Sequence, residues 1–144
     1  MGKRILVPVD GSEQAHQACE FVLSEFPGAE MILLHVVNPA EAGYSAQASI
    51  PSFSEEWYEQ QREQAETLFA EIRDDVAEQG VDVEVSSDIE VGKPVSVIVE
   101  YAEDNDVDQI VMGSHGRSGV SRVLLGSVAE TVVRRSPVPV TVVR

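Results

Sequence analysis

A glycine-rich segment near the carboxyl end has the spacing of a phosphate-binding loop. Gly113-Ser-His-Gly116 is followed, after nine intervening residues, by Gly126-Ser127, which gives the pattern G-x2-G-x9-G-S. Glycine permits the close backbone approach and the positive φ angles that turn successive N–H groups toward one anion. A strand-like run precedes Gly113 and a helix-like run follows Gly126. The unpaired amides and positive dipole end of a helix start attract anions, so the segment is predicted to bind phosphate.

Other interpretations of this segment remain open. Ser127 and Glu130 fit a capping box, in which the two side chains would satisfy the same amides without a ligand. Histidine titrates near neutral pH, which suits a general acid or base, but His115 has no identifiable partner carboxylate, and a solvated loop histidine is expected. Of Arg117 and Arg122, at most one is expected to contact phosphate.

Five short runs rich in β-branched residues alternate with helical patterns. The runs are Lys3–Val9, Glu30–Val37, Val81–Ile89, Gln109–Met112 and Val138–Val143. Continuous apolar runs are typical of strands covered on both faces, and the alternation requires right-handed crossovers in a doubly wound α/β sheet. Ligands bind such sheets beyond the carboxyl ends of the strands, where the winding reverses. Asp10, Val36 and Gly113 are therefore predicted to meet at one crevice.

Apolar stripes at helical spacing lie between these runs and predict four helices. The stripes comprise Ala15, Ala18, Cys19, Val22 and Phe26; Phe53, Trp57, Ala65, Leu68, Phe69, Ile72 and Val76; Val95, Ile98, Val99 and Ala102; and Val128, Val132 and Val133. Ser52 with Glu55 fits a capping box, and Pro94 suits a first turn. Cys19, His35 and the Trp57 stripe are predicted to be core.

Composition predicts one cytoplasmic domain over residues 1–144. This length suffices for a single core, and no apolar stretch approaches the ~20 residues that span a bilayer. Pro8 and Asp10 come too early for a secretory signal. Cys19 is the single cysteine, which excludes an internal disulfide and a multi-cysteine metal site.

The net charge of −15 is unevenly distributed. Residues 1–37 carry −3, residues 38–106 carry −15, and residues 107–144 carry +3. The one basic region therefore contains the glycine segment, where an anionic ligand would need it; the alternative explanation of so small an excess is a chance scatter of arginines. A chain this acidic is a poor candidate for nucleic-acid binding.

Several better-known catalytic motifs are missing from the sequence. There is no G-x4-G-K-[ST], no G-x-G-x-x-G after the first strand and no G-x-S-x-G. Without a P-loop lysine, efficient NTP hydrolysis is not expected, and whether the protein is an enzyme stays open. The run 138–143 lacks lysine, which argues against a response-regulator receiver.

Ordered motifs along essentially the whole chain resemble the universal stress protein family. They are Pro8-Val-Asp10-Gly-Ser12, Leu33-Leu-His-Val-Val37, Val91-Gly-Lys-Pro94 and Met112-Gly-Ser-His-Gly-Arg117 with Leu125-Gly-Ser-Val128. The glycine spacing is that of the family's ATP-binding branch. The resemblance implies a single three-layer α/β domain with a five-stranded parallel doubly wound sheet. Its type is flavodoxin-like or adenine nucleotide alpha-hydrolase-like, with strand order 3-2-1-4-5.

The resemblance also implies a site for ATP, with AMP as the alternative, and for Mg²⁺ or Mn²⁺. Asp10 would accept from ribose hydroxyls or help to hold the divalent ion; the alternative is that it closes a turn with its own backbone. Val36 and Met112 would line the adenine slot, and the glycines with Ser127 would supply amides and a hydroxyl to the phosphates. The expected site residues are Pro8, Val9, Asp10, Val36, Gly92, Met112, Gly113, His115, Gly116, Arg117, Gly126, Ser127 and Val128.

The last apolar run has the character of a sheet edge. The segment 137–143 is short, apolar and contains two prolines, and an exposed apolar edge favours pairing with a second chain. The resemblance implies a homodimer through Val138–Val143; the alternative is an edge covered within a monomer. The loop Asn38–Pro51 is either a cover over the crevice or a surface insertion.

Three functions are compatible with these features. The first, implied by the resemblance, is an ATP-binding stress-response and signalling module with slow or no hydrolysis. The second is a weak metal-dependent ATPase or phosphotransferase that uses Asp10. The third is a nucleotide-free interaction protein in which the glycines only shape turns. The protein partners and the stress itself are not predicted.

Overall fold

Strands and helices alternate throughout the computed structural model, which describes residues 2–42, 55–114 and 125–144. The elements are β1 (Arg4–Pro8), α1 (Glu13–Glu25), β2 (Glu30–Val37), α2 (Glu55–Gln79), β3 (Glu84–Val91), α3 (Pro94–Asp104), β4 (Gln109–Gly113), α4 (Ser127–Arg135) and β5 (Val140–Val143). A short 3-10 turn, Pro39–Ala42, follows β2. The strands form one parallel sheet in the order β3-β2-β1-β4-β5, which confirms the predicted fold class and strand order.

Of the three strands that begin later than predicted, two differ by more than one residue. β3 begins at Glu84 rather than Val81 because the register pairs Glu84 with Glu30, the first residue of β2. It continues to Val91 because β2 continues to Val37. β5 begins at Val140, after Pro139, whose ring leaves no N–H for a sheet.

Two helical layers bury both faces of the sheet. Neighbouring residues of a strand point to opposite faces, so Ile5 and Val7 of β1 pack with α1 and α2, while Leu6 packs with α3 and α4. All three side chains are 0% exposed. The apolar character of the central strands on both faces is therefore the reason that the sheet has three layers.

The predicted helical stripes are largely the buried faces of the helices. Buried residues include Ala15, Ala18, Cys19 and Val22 on α1, and Ala65, Phe69, Ile72 and Val76 on α2. His35 is buried on β2, as predicted. Val133 belongs to the apolar stripe of α4 in the sequence, yet it is 45% exposed while its neighbour Val132 is fully buried, because one helical step turns the side chain toward solvent.

The start of α2 departs from the prediction of a continuous core stripe. Trp57 is only half-buried, and the buried positions of this helix begin at Ala65. Phe53 and the Ser52 capping-box position lie outside the described residues. In the ranges that the structure describes, no helix is long and apolar enough to cross a membrane.

Candidate functional site

Most of the predicted site residues lie at one end of the sheet, where the carboxyl ends of the parallel strands meet. Asp10 follows β1, Val36 lies near the end of β2, Gly92 follows β3, and Gly113 ends β4. The Gly126 N–H donates to the Ser114 carbonyl at 2.8 Å, which joins the start of α4 to the same edge. His115, Gly116 and Arg117 lie outside the described residues, as does most of the loop 38–51.

Asp10 closes a tight turn between β1 and α1. Its Oδ1 accepts a hydrogen bond from the Ser12 N–H at 2.9 Å, and Ser12 Oγ in turn accepts from the Ala15 N–H at 3.1 Å as the cap of α1. The turn interpretation of Asp10 is therefore confirmed. It does not exclude a ligand role, because a carboxylate can accept more than one hydrogen bond.

Packing gives Gly113 a reason to lack a side chain that is separate from the predicted approach to phosphate. A Cβ at this position would lie 2.6 Å from Gln14 Cβ and 2.9 Å from the Gln14 carbonyl carbon. The first turn of α1 thus packs directly on the end of β4. Helix packing alone accounts for glycine here, without any phosphate.

The N-cap residue of α4 supplies no side-chain cap. This residue is Gly126, and Ser127 is already the first helical residue, so the Ser127–Glu130 capping box does not form. The Glu130 carboxylate instead accepts from Arg134 at 2.8 Å. The first-turn amides of Ser127, Val128 and Ala129 have no carbonyl one turn earlier in the helix to bond.

The role predicted for the Gly126 amide requires a correction. Because this N–H donates to the Ser114 carbonyl, it is already used within the protein. The Ser114 N–H is likewise used, by the Val143 carbonyl at 2.8 Å. Any acceptor at this helix start would therefore meet the amides that follow Gly126 rather than the amide of Gly126 itself.

The apolar residues of the site differ in how much surface they offer. Met112 is 5% exposed and Val9 is 4% exposed, so both side chains are almost entirely buried in the core. Val36 is half-buried and belongs to the same apolar cluster as Met112, on the α3 and α4 face of the sheet. Val36 therefore offers a flat ligand ring more accessible surface than either neighbour.

A further polar residue, His35, joins the edge and was predicted only as core. Its Nδ1 lies 2.9 Å from the carbonyl oxygen of Val9, and its side chain is buried. The signal in the sequence was a histidine within the otherwise apolar run Leu33-Leu-His-Val-Val37. A buried polar group normally has a specific partner, which pattern analysis alone does not identify.

Within the described part of the chain, no three His, Cys, Asp or Glu side chains are grouped so as to hold a metal ion. These residues do not form an all-protein metal centre. Mg²⁺ is commonly bound through one or two carboxylates together with phosphate oxygens of a ligand, so Asp10 fits such a shared site.

Comparison with known proteins identifies close relatives over the whole length. The model of the "Universal stress protein family" matches residues 1–144. The universal stress protein MJ0577 of Methanocaldococcus jannaschii is 36% identical over 159 residues, which cover 100% of this chain and 96% of that protein. A solved structure of MJ0577 superimposes with a TM-score of 0.82 at 37% identity, covering 99% and 96% of the two chains.

Two more distant structures share the fold and contain nucleotides. A universal stress protein in complex with cAMP has a TM-score of 0.65 at 24% identity, with 99% of this chain and 97% of that chain covered. A universal stress protein family protein of Arabidopsis thaliana with AMP bound has a TM-score of 0.64 at 21% identity, with 98% and 90% covered.

Proposed function

The chain belongs to the universal stress protein family, and from that premise we propose that it binds an adenine nucleotide, ATP first, as a stress-response module. The observation that carries the proposal is the start of α4, whose N-cap glycine supplies no side-chain cap, at the same end of the sheet as Asp10. Backbone amides at a helix start bind phosphate well, and Asp10 suits ribose hydroxyls or a shared divalent ion. Two members of the fold contain AMP and cAMP, which supports the adenosine class.

The nucleotide is proposed to be retained rather than rapidly cleaved. The sequence contains no P-loop lysine to reach a γ-phosphate, so efficient hydrolysis is not expected. Occupancy of the site by ATP would then report the energy state of the cell to a protein partner. A weak Mg²⁺- or Mn²⁺-dependent ATPase is the second candidate, because Asp10 can share a metal with the phosphates.

The working assembly is proposed to be a homodimer through β5. All four residues of β5 are half-buried and form one edge of the sheet. The opposite edge is β3, where Asp88 Oδ1 accepts from the Ile89 N–H at 2.9 Å and Glu84 and Glu90 are exposed. Acidic side chains on an edge oppose strand addition, so β5 is the edge better suited to a second copy.

Calorimetric titration tests the proposal directly. The protein is refolded from denaturant to remove any retained ligand and titrated with ATP, AMP, cAMP and GTP, with and without Mg²⁺. Saturable binding of an adenosine nucleotide, with GTP markedly weaker, is expected. Absence of binding by all four nucleotides would instead favour a nucleotide-free interaction protein, and multiple turnover with Mg²⁺ or Mn²⁺ would favour the ATPase.

A further inference from the structure

His35 donates a buried hydrogen bond to the last peptide before Asp10. The side chain is 9% exposed, and its Nδ1 lies 2.9 Å from the Val9 carbonyl oxygen. A carbonyl oxygen only accepts, so Nδ1 must carry the proton. The contact therefore requires the Nδ1–H tautomer when the ring is neutral.

The hydrogen bond occurs where β1 separates from β2. Regular pairing of the two strands ends at Pro8 and Leu34, although the Val9 N–H still donates to the Leu34 carbonyl at 2.9 Å. A continued parallel ladder would next use a main-chain N–H of β2 for the Val9 carbonyl. The imidazole takes that place, which satisfies a buried carbonyl while the chain leaves the sheet.

Holding the Val9 carbonyl also fixes the following residue. The carbonyl of Val9 and the N–H of Asp10 belong to one planar peptide, so its orientation is set when its oxygen is held. The Asp10 side chain is then tied to Ser12 at 2.9 Å, which leaves little rotational freedom in the turn. We propose that His35 is a positioning residue for the nucleotide site, acting through the Val9–Asp10 peptide on the Asp10 carboxylate.

This inference rests on the proposed function and is tested with paired variants. His35→Asn keeps an N–H donor close to the position of Nδ1, whereas His35→Leu keeps the volume and removes the donor. His16, exposed on α1, supplies the control His16→Leu. ATP affinity by calorimetry is expected to fall about tenfold in His35→Leu, the order of one lost buried hydrogen bond, and to stay within about threefold in His35→Asn. His16→Leu should bind as the wild type does.

Two results of this titration would overturn the inference. One is ATP binding by folded His35→Leu that matches the wild type. The other is a loss in His35→Asn as large as in His35→Leu, because a donor in the right place would then have no effect. Thermal unfolding of each variant separates a loss of affinity from a loss of fold.

A second measurement does not depend on nucleotide binding or on the folding of His35→Leu. Long-range ¹H–¹⁵N spectra of the wild type, assigned with His35→Asn, should show a proton on Nδ1. The Nε2–H tautomer would refute the inference. If the wild type binds no nucleotide, the proposed function fails, but the effect of His35 on the turn can still be tested. The tautomer is one test, and the hydrogen-exchange rate of the Ser12 amide, expected to be about tenfold faster in folded His35→Leu than in the wild type, is the other.

Discussion

Gly113 and Gln14 touch where the first turn of α1 packs on the end of β4. A Cβ on Gly113 would stand 2.6 Å from that of Gln14, closer than non-bonded carbons approach. Two residues before Gln14, Ser12 caps α1 and donates its N–H to Asp10. The Asp10 turn and the glycine segment are thus joined by the contact between Gln14 and Gly113. A single added or removed atom at this contact is expected to change the packing of both segments.

Gly113→Ala is expected to destabilise the fold. The added methyl group overpacks the α1–β4 contact, and overpacking of this kind costs about 1–3 kcal/mol in the free energy of unfolding. Urea denaturation measures the loss. Adding Gln14→Gly removes one of the clashing atoms, so the double variant should lose less than the sum of the single losses; strict additivity would contradict the contact.

Cys19 should make stability sensitive to alkaline pH. Burial, with the charges of Glu20 and Asp75 adding to it, raises the pKa of the Cys19 thiol from 9.0 to about 12. Above pH 9 the unfolded thiol ionises while the folded one stays protonated, so stability present below pH 9 is lost as the pH rises toward 12.

The comparison with Cys19→Ala isolates this effect. The free energy of unfolding of the wild type should fall relative to that of Cys19→Ala between pH 9 and 11, and the difference should be constant from pH 6 to 8. Parallel curves throughout would show that the thiol is not buried as described. A thiol reagent at pH 8 should modify Cys19 only after unfolding.

At the scale of secondary-structure elements, the start of α4 is the part of the site best suited to an anion. The helix has nine residues, Gly126 precedes it without a side-chain cap, and Arg134 and Arg135 in its last turn complement the negative dipole end. By contrast, α1 begins at the same edge with its amides capped by Ser12. The difference between the two helices is local chemistry at the N-cap, since both begin directly beyond a strand end.

Gly126→Asp is expected to separate stability from binding. Gly126 has φ −67° and ψ 161°, which any residue adopts, and an aspartate there would cap the first-turn amides of α4. The free energy of unfolding should stay equal or rise by roughly a few tenths of a kcal/mol, which a thermal melt would show as an equal or higher midpoint. ATP affinity should fall at least about tenfold. Gly126→Asn caps without the charge and should lose less affinity. Unchanged ATP affinity in Gly126→Asp would argue against phosphate at this helix.

At the scale of the whole molecule, the sheet has two unlike edges. β3 is acidic, and one of its N–H groups is occupied by Asp88. β5 is mostly apolar and is bonded to the glycine segment, because the Val143 carbonyl accepts from the Ser114 N–H. A dimer through β5 would therefore adjoin the glycine segment in each subunit, and deleting the strand would damage the site together with the interface.

A proline in β5 tests the interface without removing the strand. The register pairs Met112 with Val142, so in this parallel ladder the Val142 N–H points away from β4, while that of Thr141 points toward it. Val142→Pro is expected to give a folded monomer in sedimentation velocity. Thr141→Pro removes a bond to β4 and should destabilise the fold itself. A Val142→Pro protein that remains dimeric would show that the dimer forms through a surface other than β5.

The pattern of apolar residues determined the fold class. Alternating β-branched runs and helical stripes indicated a doubly wound sheet, because burial on both faces leaves a direct trace in residue type. The strand order was implied only by the resemblance to the universal stress protein family. The same pattern included Val133 in the stripe of α4 although its side chain is largely exposed, since a stripe does not reveal where a helix face turns to solvent.

The tertiary structure alone decided how the main-chain groups of the site are used. Three pairings join residues that are distant in the chain or lie across a loop: Gly126 donates to Ser114, Gly113 packs against Gln14, and His35 bonds the Val9 carbonyl. The residue types in the sequence show that donors, acceptors and small side chains are present. Which donor meets which acceptor depends on the packing of whole elements, and no local spacing encodes it.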